Sequence, residues 1–354
     1  MRRFTFGLFV SVAALAVASP AISADLDFPD EIRGTYNDWD TPQDPLMGFD
    51  AGLRYMYSMG GTSLNTSGNA TLGVPASSGS TSDTTQFAEA FLRLNDHVTD
   101  TYLHAYGGYS MFLDTSYDNN GTPGSTTLGK VAYAVADFGY LPFKLGSDET
   151  GAAFGGFLGY QYINDAPTIG GANYSPITDN SSISWTTGTS SYFVPVAHAD
   201  HTLNINALRI GTAAKAKFGA FDLTAEVAAI PYASITGVLG GHTFNPIDRG
   251  GHVTYKATES KFEGNAFGAA ADAMIGYNIT DNMAVRFGGR ATYLRGQGNL
   301  VYGLADVTKP VDTDSDGTYD IAPTTGGTYY LTPERIDALS LWRYGLLAEL
   351  KVSF

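Results

Sequence analysis

Cysteine is absent from all 354 residues, so neither a disulfide framework nor a thiolate metal site or nucleophile is available. Charge is scarce at 16%, and cations are scarcer still, with 20 Lys and Arg against 35 Asp and Glu and a formal net charge of −15. That balance excludes the basic surface that phosphodiester recognition requires, and no nucleic-acid partner is expected. Long apolar runs are missing as well. Beyond residue 24 no stretch supplies the ~18 consecutive apolar residues of a membrane-spanning helix, and mean hydropathy is only −0.07. Neither a phosphate-binding glycine loop nor a Gly-x-Ser-x-Gly elbow occurs, so no pattern calls for a nucleotide or other required cofactor.

What is present begins at the amino terminus. Arg2 and Arg3 precede a short apolar run through Leu8, Phe9, Val10, Val12, Leu15 and Val17. Pro20 breaks the run, and Ile22-Ser23-Ala24 offers a small-residue exit before Asp25. A basic start, a short apolar core and a small-residue end describe a cleaved secretory signal over residues 1–24, too short for an anchoring helix. Residues 25–46 show no alternation and contain Pro29, Pro42 and Pro45, which reads as a periplasmic N-terminal segment.

From residue 47 onward the chain alternates. Phe49, Ala51, Leu53, Tyr55, Tyr57 and Met59 share one side of 47–59, with Asp50, Gly52 and Arg54 on the other. The same period of two sets Leu208, Ile210 and Ala214 against Arg209, Lys215 and Lys217; Leu223, Ala225 and Val227 against Asp222 and Glu226; and Phe267, Ala271, Ile275 and Tyr277 against Asp272 and Asn278. It continues with Phe287 and Tyr293 against Arg286 and Arg290. It ends with Trp342, Tyr344, Leu346, Leu350, Val352 and Phe354 against Arg343, Glu349 and Lys351. Segments 101–114, 84–95, 128–141 and 151–164 bring the strands to ten, with the register of 84–95 and 128–141 open. Connections alternate between long (60–83, 115–127, 165–201, 235–262, 297–335) and short (96–100, 142–150, 218–220, 280–282). In hydrocarbon every backbone amide must be paired, so such strands have to close on themselves. The expected fold is all-β: an antiparallel up-and-down transmembrane β-barrel over 47–354, with long outer loops, short periplasmic turns and aromatic girdles.

The polar face of these strands turns a row of charges toward the lumen: Arg54, Arg209, Lys215, Asp222, Glu226, Asp272, Arg286, Arg290, Arg343, Glu349 and Lys351. They make either a salt-bridged plug or a narrow charged pore, and ten strands favour the plug, because open channels need about 16. The fifth outer loop carries Asp312, Asp314, Asp316, Gly317 and Asp320. Carboxylates at alternate positions before a glycine are the ligand spacing of a Ca2+ loop, although Pro323 stands where an EF-hand has its bidentate Glu. His198, Asp200 and His201 form a further polar group at the end of the third loop.

The closing residues, with Phe354 terminal and Val352, Leu350 and Tyr344 behind it on one face, resemble the carboxy-terminal targeting strand of bacterial outer-membrane proteins. That resemblance implies insertion by the barrel-assembly machinery, with Phe354 as assembly signal, and a surrounding of outer-membrane lipid and lipopolysaccharide in a Gram-negative bacterium. Ten strands with tall loops also resemble the omptin and outer-membrane adhesin group in architecture. Omptin proteolysis implies an acidic pair on the second outer loop and Asp-x-His on the fourth. The second loop here has Asp114 and Asp118, four apart, and the fourth has His242, Asp248 and His252 without Asp-x-His, so no catalytic residue carries over. The expected role is structural or partner-binding through the outer loops. A narrow porin-like channel is the alternative and an omptin-like surface protease the lesser one.

Overall fold

The computed structural model describes residues 47–354 apart from 71–73, 120–121, 147–149, 170–181, 188–189, 196–200, 241, 243–245 and 327–329. The expected signal (1–24), the segment 25–46, and His198 and Asp200 lie outside the described residues. The strands are β1 (Met47–Thr66), β2 (Ser78–Asp96), β3 (Thr101–Asn119), β4 (Thr122–Thr126), β5 (Gly129–Gly146), β6 (Thr150–Pro167), β7 (Ser182–Thr187), β8 (Ser190–Pro195), β9 (Thr202–Phe218), β10 (Phe221–Val238), β11 (Ile247–Asp248), β12 (His252–Lys256), β13 (Lys261–Asn278), β14 (Met283–Thr308) and β15 (Tyr330–Ser353).

Ten of them form the wall, every neighbouring pair antiparallel, in the order β14-β13-β10-β9-β6-β5-β3-β2-β1-β15. The ring closes twice over at β15, which pairs with β1 from Asp50–Ser353 to Asn65–Ala338 and with β14 from Met283–Val352 to Leu304–Tyr330. No edge of the wall is left to be paired by anything else. Phe354 is seated in this seam: its amide donates to the Phe49 carbonyl at 2.8 Å, and the two rings lie 5.7 Å apart. β4, β11 and β12 extend the wall at its outer end, and β7 pairs only with β8.

Alternation becomes geometry directly. Large apolar side chains on successive wall strands face outward and exposed, among them Leu53, Leu158, Ile210, Ile275, Phe287 and Leu346. Aromatics bound the belt. Toward the short-turn end stand Phe221 with Tyr277, and Phe143 stacked on Phe154 at 4.9 Å; toward the long-loop end stand Trp342 stacked on Tyr344 at 5.4 Å, Tyr293 and Tyr232. Two prolines interrupt the ladder where a bulge accepts them. Leu141-Pro142 lie opposite the single residue Gly155, and Pro231-Tyr232 lie opposite Phe267. A bulged residue is not required to donate to the ladder, which is why proline is tolerated there.

The strands run further outward than the alternation of apolar residues suggests. Segments read from sequence as loop, such as 60–66, 78–83 and 297–308, are strand. Above the belt the outward residues are Ser63, Asn65, Ser80, Glu263, Gln297 and Asn299, all exposed. Without lipid outside, the outer face has no reason to be apolar, and the sequence signature of a membrane strand fades while the hydrogen-bonded ladder continues.

Inside, close packing depends on glycine at one crowded point. A Cβ at Gly159 would stand 1.7 Å from the Asp137 carboxylate. Gly159→Ala should displace that carboxylate and cost about 1–3 kcal/mol, the usual penalty for overpacking a core. Urea unfolding of the detergent-folded protein checks this, and an unchanged midpoint would contradict the packing described.

Candidate functional site

The lumen is the first place to look for function in a barrel, and here it is filled. Glu89, wholly buried, is the hub. Its Oε1 accepts from Arg54 Nη1 at 2.8 Å, and its Oε2 from Arg290 Nη1 at 2.6 Å and from the Tyr133 hydroxyl at 2.7 Å. Arg54 also donates to Glu349, whose other oxygen accepts from Arg286 at 3.3 Å. Arg286 Nε reaches Asp222 at 2.8 Å, and Arg290 Nε reaches Asp272 at 2.9 Å. The outcome is one connected chain, Asp272–Arg290–Glu89–Arg54–Glu349–Arg286–Asp222, in which each guanidinium faces carboxylates on both sides. Aromatic faces complete the packing: Arg54 lies 4.3 Å from the Phe91 ring centre and Arg290 4.2 Å from that of Tyr106.

Other contacts cross the lumen. Arg93 on β2 approaches Glu226 at 3.5 Å on β10, the strand diametrically opposite in the ring. Arg290 on β14 and Tyr133 on β5, another opposed pair of strands, meet at 3.3 Å. Arg209 holds Asp137 at 3.1 Å and Gln161 at 3.3 Å, while Arg343 holds Asp83 at 2.8 Å nearer the outer end. Lys215 meets no carboxylate and donates to Asn95 Oδ1 at 2.9 Å. Buried ions are tolerable only when paired and hydrogen-bonded in this way.

Above the charged layer the interior turns apolar. Met56, Phe87, Leu113 and Val131 pack over it, followed by Leu203, Ile205, Ile235, Phe262, Leu300 and Leu339 toward the outer end. A cavity of about 60 Å³ between the layers, bordered by Tyr106, Tyr133, Arg290 and Leu294, has room for a few water molecules only.

At the outer rim a second polar cluster is buried. His242 Nδ1 lies 3.0 Å from Ser260 Oγ, and its Nε2 3.5 Å from Glu334 Oε2, which accepts from the Tyr302 hydroxyl at 2.9 Å. Lys256 donates to the His242 carbonyl at 3.3 Å. The composition suggests a hydrolytic triad, but Ser260 and Glu334 have no exposed surface, and an unreachable hydroxyl attacks nothing. The cluster instead ties the fourth loop to β12, β14 and β15. Burial lowers the proton affinity of His242 and of His201, the latter to about 4. Burial alone would raise Glu334, but hydrogen bonds from His242, Thr66 and Tyr302 outweigh it and hold the carboxyl below its ordinary range.

The remaining sequence candidates are dispersed. Asp114 is exposed on the outside of β3, Asp248 is paired with Lys309 at 2.6 Å, and half-buried His252 faces Asp306 at 3.7 Å. None of them shares a cleft with His242. In the fifth loop Asp312, Asp314 and Asp320 bring ligand oxygens within 4.8 Å of one another, while Asp316 stands outside that group. The loop's own groups already use the carboxylates. Asp312 accepts from the amides of Ser315 (2.7 Å) and Gly317 (3.0 Å). Asp320 accepts from the hydroxyl and amide of Thr313, which lower its carboxyl pKa.

Sequence reasoning missed Glu89, Arg93, Asp137 and Asp83 as lumen residues. All lie on β2 or β5, whose alternation is diluted by Ala, Thr and Gln.

No protein-family model and no curated protein sequence matches the chain. Among solved structures, the outer-membrane protease OmpT of Escherichia coli superposes with a TM-score of 0.53 at 13% identity, over 89% of this chain and 99% of that one. The chain folds as an outer-membrane β-barrel. The toluene transporter TodX of Pseudomonas putida is also similar, at 8% identity over 87% of this chain and 90% of that one, but its TM-score of 0.23 is too low to bear on the argument. At 13% identity the likeness to OmpT concerns the fold alone. The barrel all the same matches the architecture that the closing strand and loop pattern imply.

Two expectations follow. Glu89→Ala strips the carboxylate shared by two arginines and should cost about 3–5 kcal/mol in urea unfolding, against less for Asp272→Asn at the end of the chain of pairs; equal effects would contradict the hub role. At the rim, folded His242 and His201 resist protonation, so the unfolded chain binds more protons below about pH 6.5, and stability there falls as pH drops from about 6.5 toward 4. Protection factors over the described amides of 239–260, taken against the intrinsic exchange rate at each pH, should fall as pH drops through that window, and His242→Gln should blunt the effect.

Proposed function

We propose that the protein is a closed, non-conducting outer-membrane barrel that presents its outer end as a rigid platform for surface contacts, in a structural or partner-binding role. One observation carries the reading: the ion-paired chain through Glu89 runs around the inner wall, Arg93–Glu226 and Arg290–Tyr133 bridge the bore, and an apolar layer roofs them, which among the described residues supports a lumen filled by side chains. An ion entering that layer would have to break charge-assisted hydrogen bonds in a low-dielectric interior. The wall strands, 17–26 residues long, exceed the ~9–11 needed to cross a bilayer and carry the loops well clear of the surface. A protease reading is left with the accessible pair His252–Asp306, 3.7 Å apart on the β12–β14 ladder, while Asp114 and Asp248 take no part in it among the described residues. Export by a cleaved signal and insertion by the barrel-assembly machinery belong to the same proposal.

In planar bilayers the purified protein should give no discrete conductance steps. The double variant Glu89→Ala, Arg290→Ala, which hollows the plug, should give small steps. Steps from the wild type at the same protein concentration would overturn the closed-barrel reading and favour the narrow channel.

A further inference from the structure

Below the plug the lumen opens at the short-turn end into a vestibule of about 970 Å³, within the size range of a small-ligand site. Among the described residues, six Lys and Arg side chains line it against three Asp, in a chain whose formal net charge is −15. The excess is concentrated at one point. Asn95 Oδ1 accepts from Arg93 Nε at 3.1 Å and from Lys215 Nζ at 2.9 Å, so two cations converge on a single neutral oxygen. Arg93 is stacked over the Tyr102 ring at 3.9 Å, its second terminal nitrogen is buried without a hydrogen-bond partner, and its ion pair to Glu226 is long at 3.5 Å. The nearest carboxylate on the open side, Asp50, lies 3.4 Å from the Asn95 amide nitrogen and 4.0 Å from Lys351. Among the described residues, Arg93, Lys215 and Lys351 are therefore set against Asp50 and, through one long contact, Glu226, which leaves one positive charge in excess around the Asn95 oxygen. Like charges held this close raise each other's energy unless an anion enters between them.

We propose that this vestibule is a binding site for an oxyanion, the phosphate or carboxylate group of a small periplasmic solute, seated on Lys215, Arg93 and Lys351 beside Asn95. The shared chemistry is a planar or tetrahedral set of acceptor oxygens. Arginine offers such a set a fork of donors and lysine a point charge. The site lies on the opposite side of the plug from the outer surface, so it is independent of the partner-binding reading. It also differs from a pore: an anion that enters meets Glu226, Glu89 and Glu349 above and goes no further.

The test uses the full refolded protein in zwitterionic micelles, with inorganic phosphate and citrate as probes and chloride at matched ionic strength as control. Phosphate or citrate should raise the melting temperature saturably where chloride does not, as linkage requires of a ligand that binds only the folded state; whichever probe acts at lower concentration names the group recognised. Lys215→Met should weaken that response about ten- to hundredfold, the worth of one charge-assisted hydrogen bond. Asn95→Asp is the deciding variant. It supplies a carboxylate between the two cations, so it should melt above the wild type without ligand and lose the response to both probes. A wild type that responds no more to phosphate or citrate than to chloride would overturn the proposal, as would an Asn95→Asp protein that is destabilised or still binds. Should Lys215→Met fail to fold, the Asn95→Asp comparison decides alone.

Discussion

Backbone amides have no water to bond with in hydrocarbon, and the rest of this protein follows from how that demand is met. The wall satisfies it by closing β15 onto both β1 and β14, and the carboxy-terminal Phe354 locks into the same seam through its amide and ring. Closure with ten strands fixes a narrow bore. A bore of that width is spanned by side chains from opposite walls, as Arg93 with Glu226 and Arg290 with Tyr133 show. Filling it with charges is tolerable only if they neutralise one another, so Glu89 has to serve two arginines at once. The filling of the lumen by paired side chains is thus a consequence of strand number and not an added device.

Much of this is legible in the sequence where lipid and lumen pull on alternate residues. β1, β9, β10, β13 and β15 could be assigned a face residue by residue, because Leu, Ile or aromatic positions alternate with Arg, Asp or Glu. On β2 and β5 the outward positions include Ala88, Ala90, Ala132 and Ala136, which mark neither face, so their register stayed open and Glu89, Arg93 and Asp137 went unseen. The extension of the strands past the membrane was hidden for a different reason. There Ser63, Asn65, Ser80 and Gln297 face water exactly as loop residues would, and only the ladder distinguishes them. Lumen pairs join residues far apart in sequence, up to 295 positions for Arg54 and Glu349, which face each other across the β1–β15 seam, and no local pattern reports a partner at that distance.

Two polar clusters at the outer end carry the residue types of chemistry. Ser260, His242 and Glu334 are in contact but sealed from solvent, and the Asp-rich fifth loop spends its carboxylates on its own amides. In the first, burial decides the reading where residue identity does not; in the second, Asp312, Asp314 and Asp320 keep ligand oxygens within 4.8 Å of one another. The vestibule is the converse: no motif announces Asn95, yet two cations share its carbonyl oxygen.

The interior of the barrel changes character along its axis, from arginines and carboxylates in the lower half to Leu203, Ile235, Phe262 and Leu300 in the upper. Its exterior changes in the opposite sense, from Leu, Phe and Tyr to Ser, Asn and Glu. One continuous sheet therefore carries an inside-out protein at its base and an ordinary globular core at its crown. The crown draws its cohesion from expelling water and the base from pairing charge away from it, so heat, chaotropes and detergents act on the two ends through different forces. A single melting curve for this molecule averages two solvation regimes joined by the same hydrogen-bonded strands.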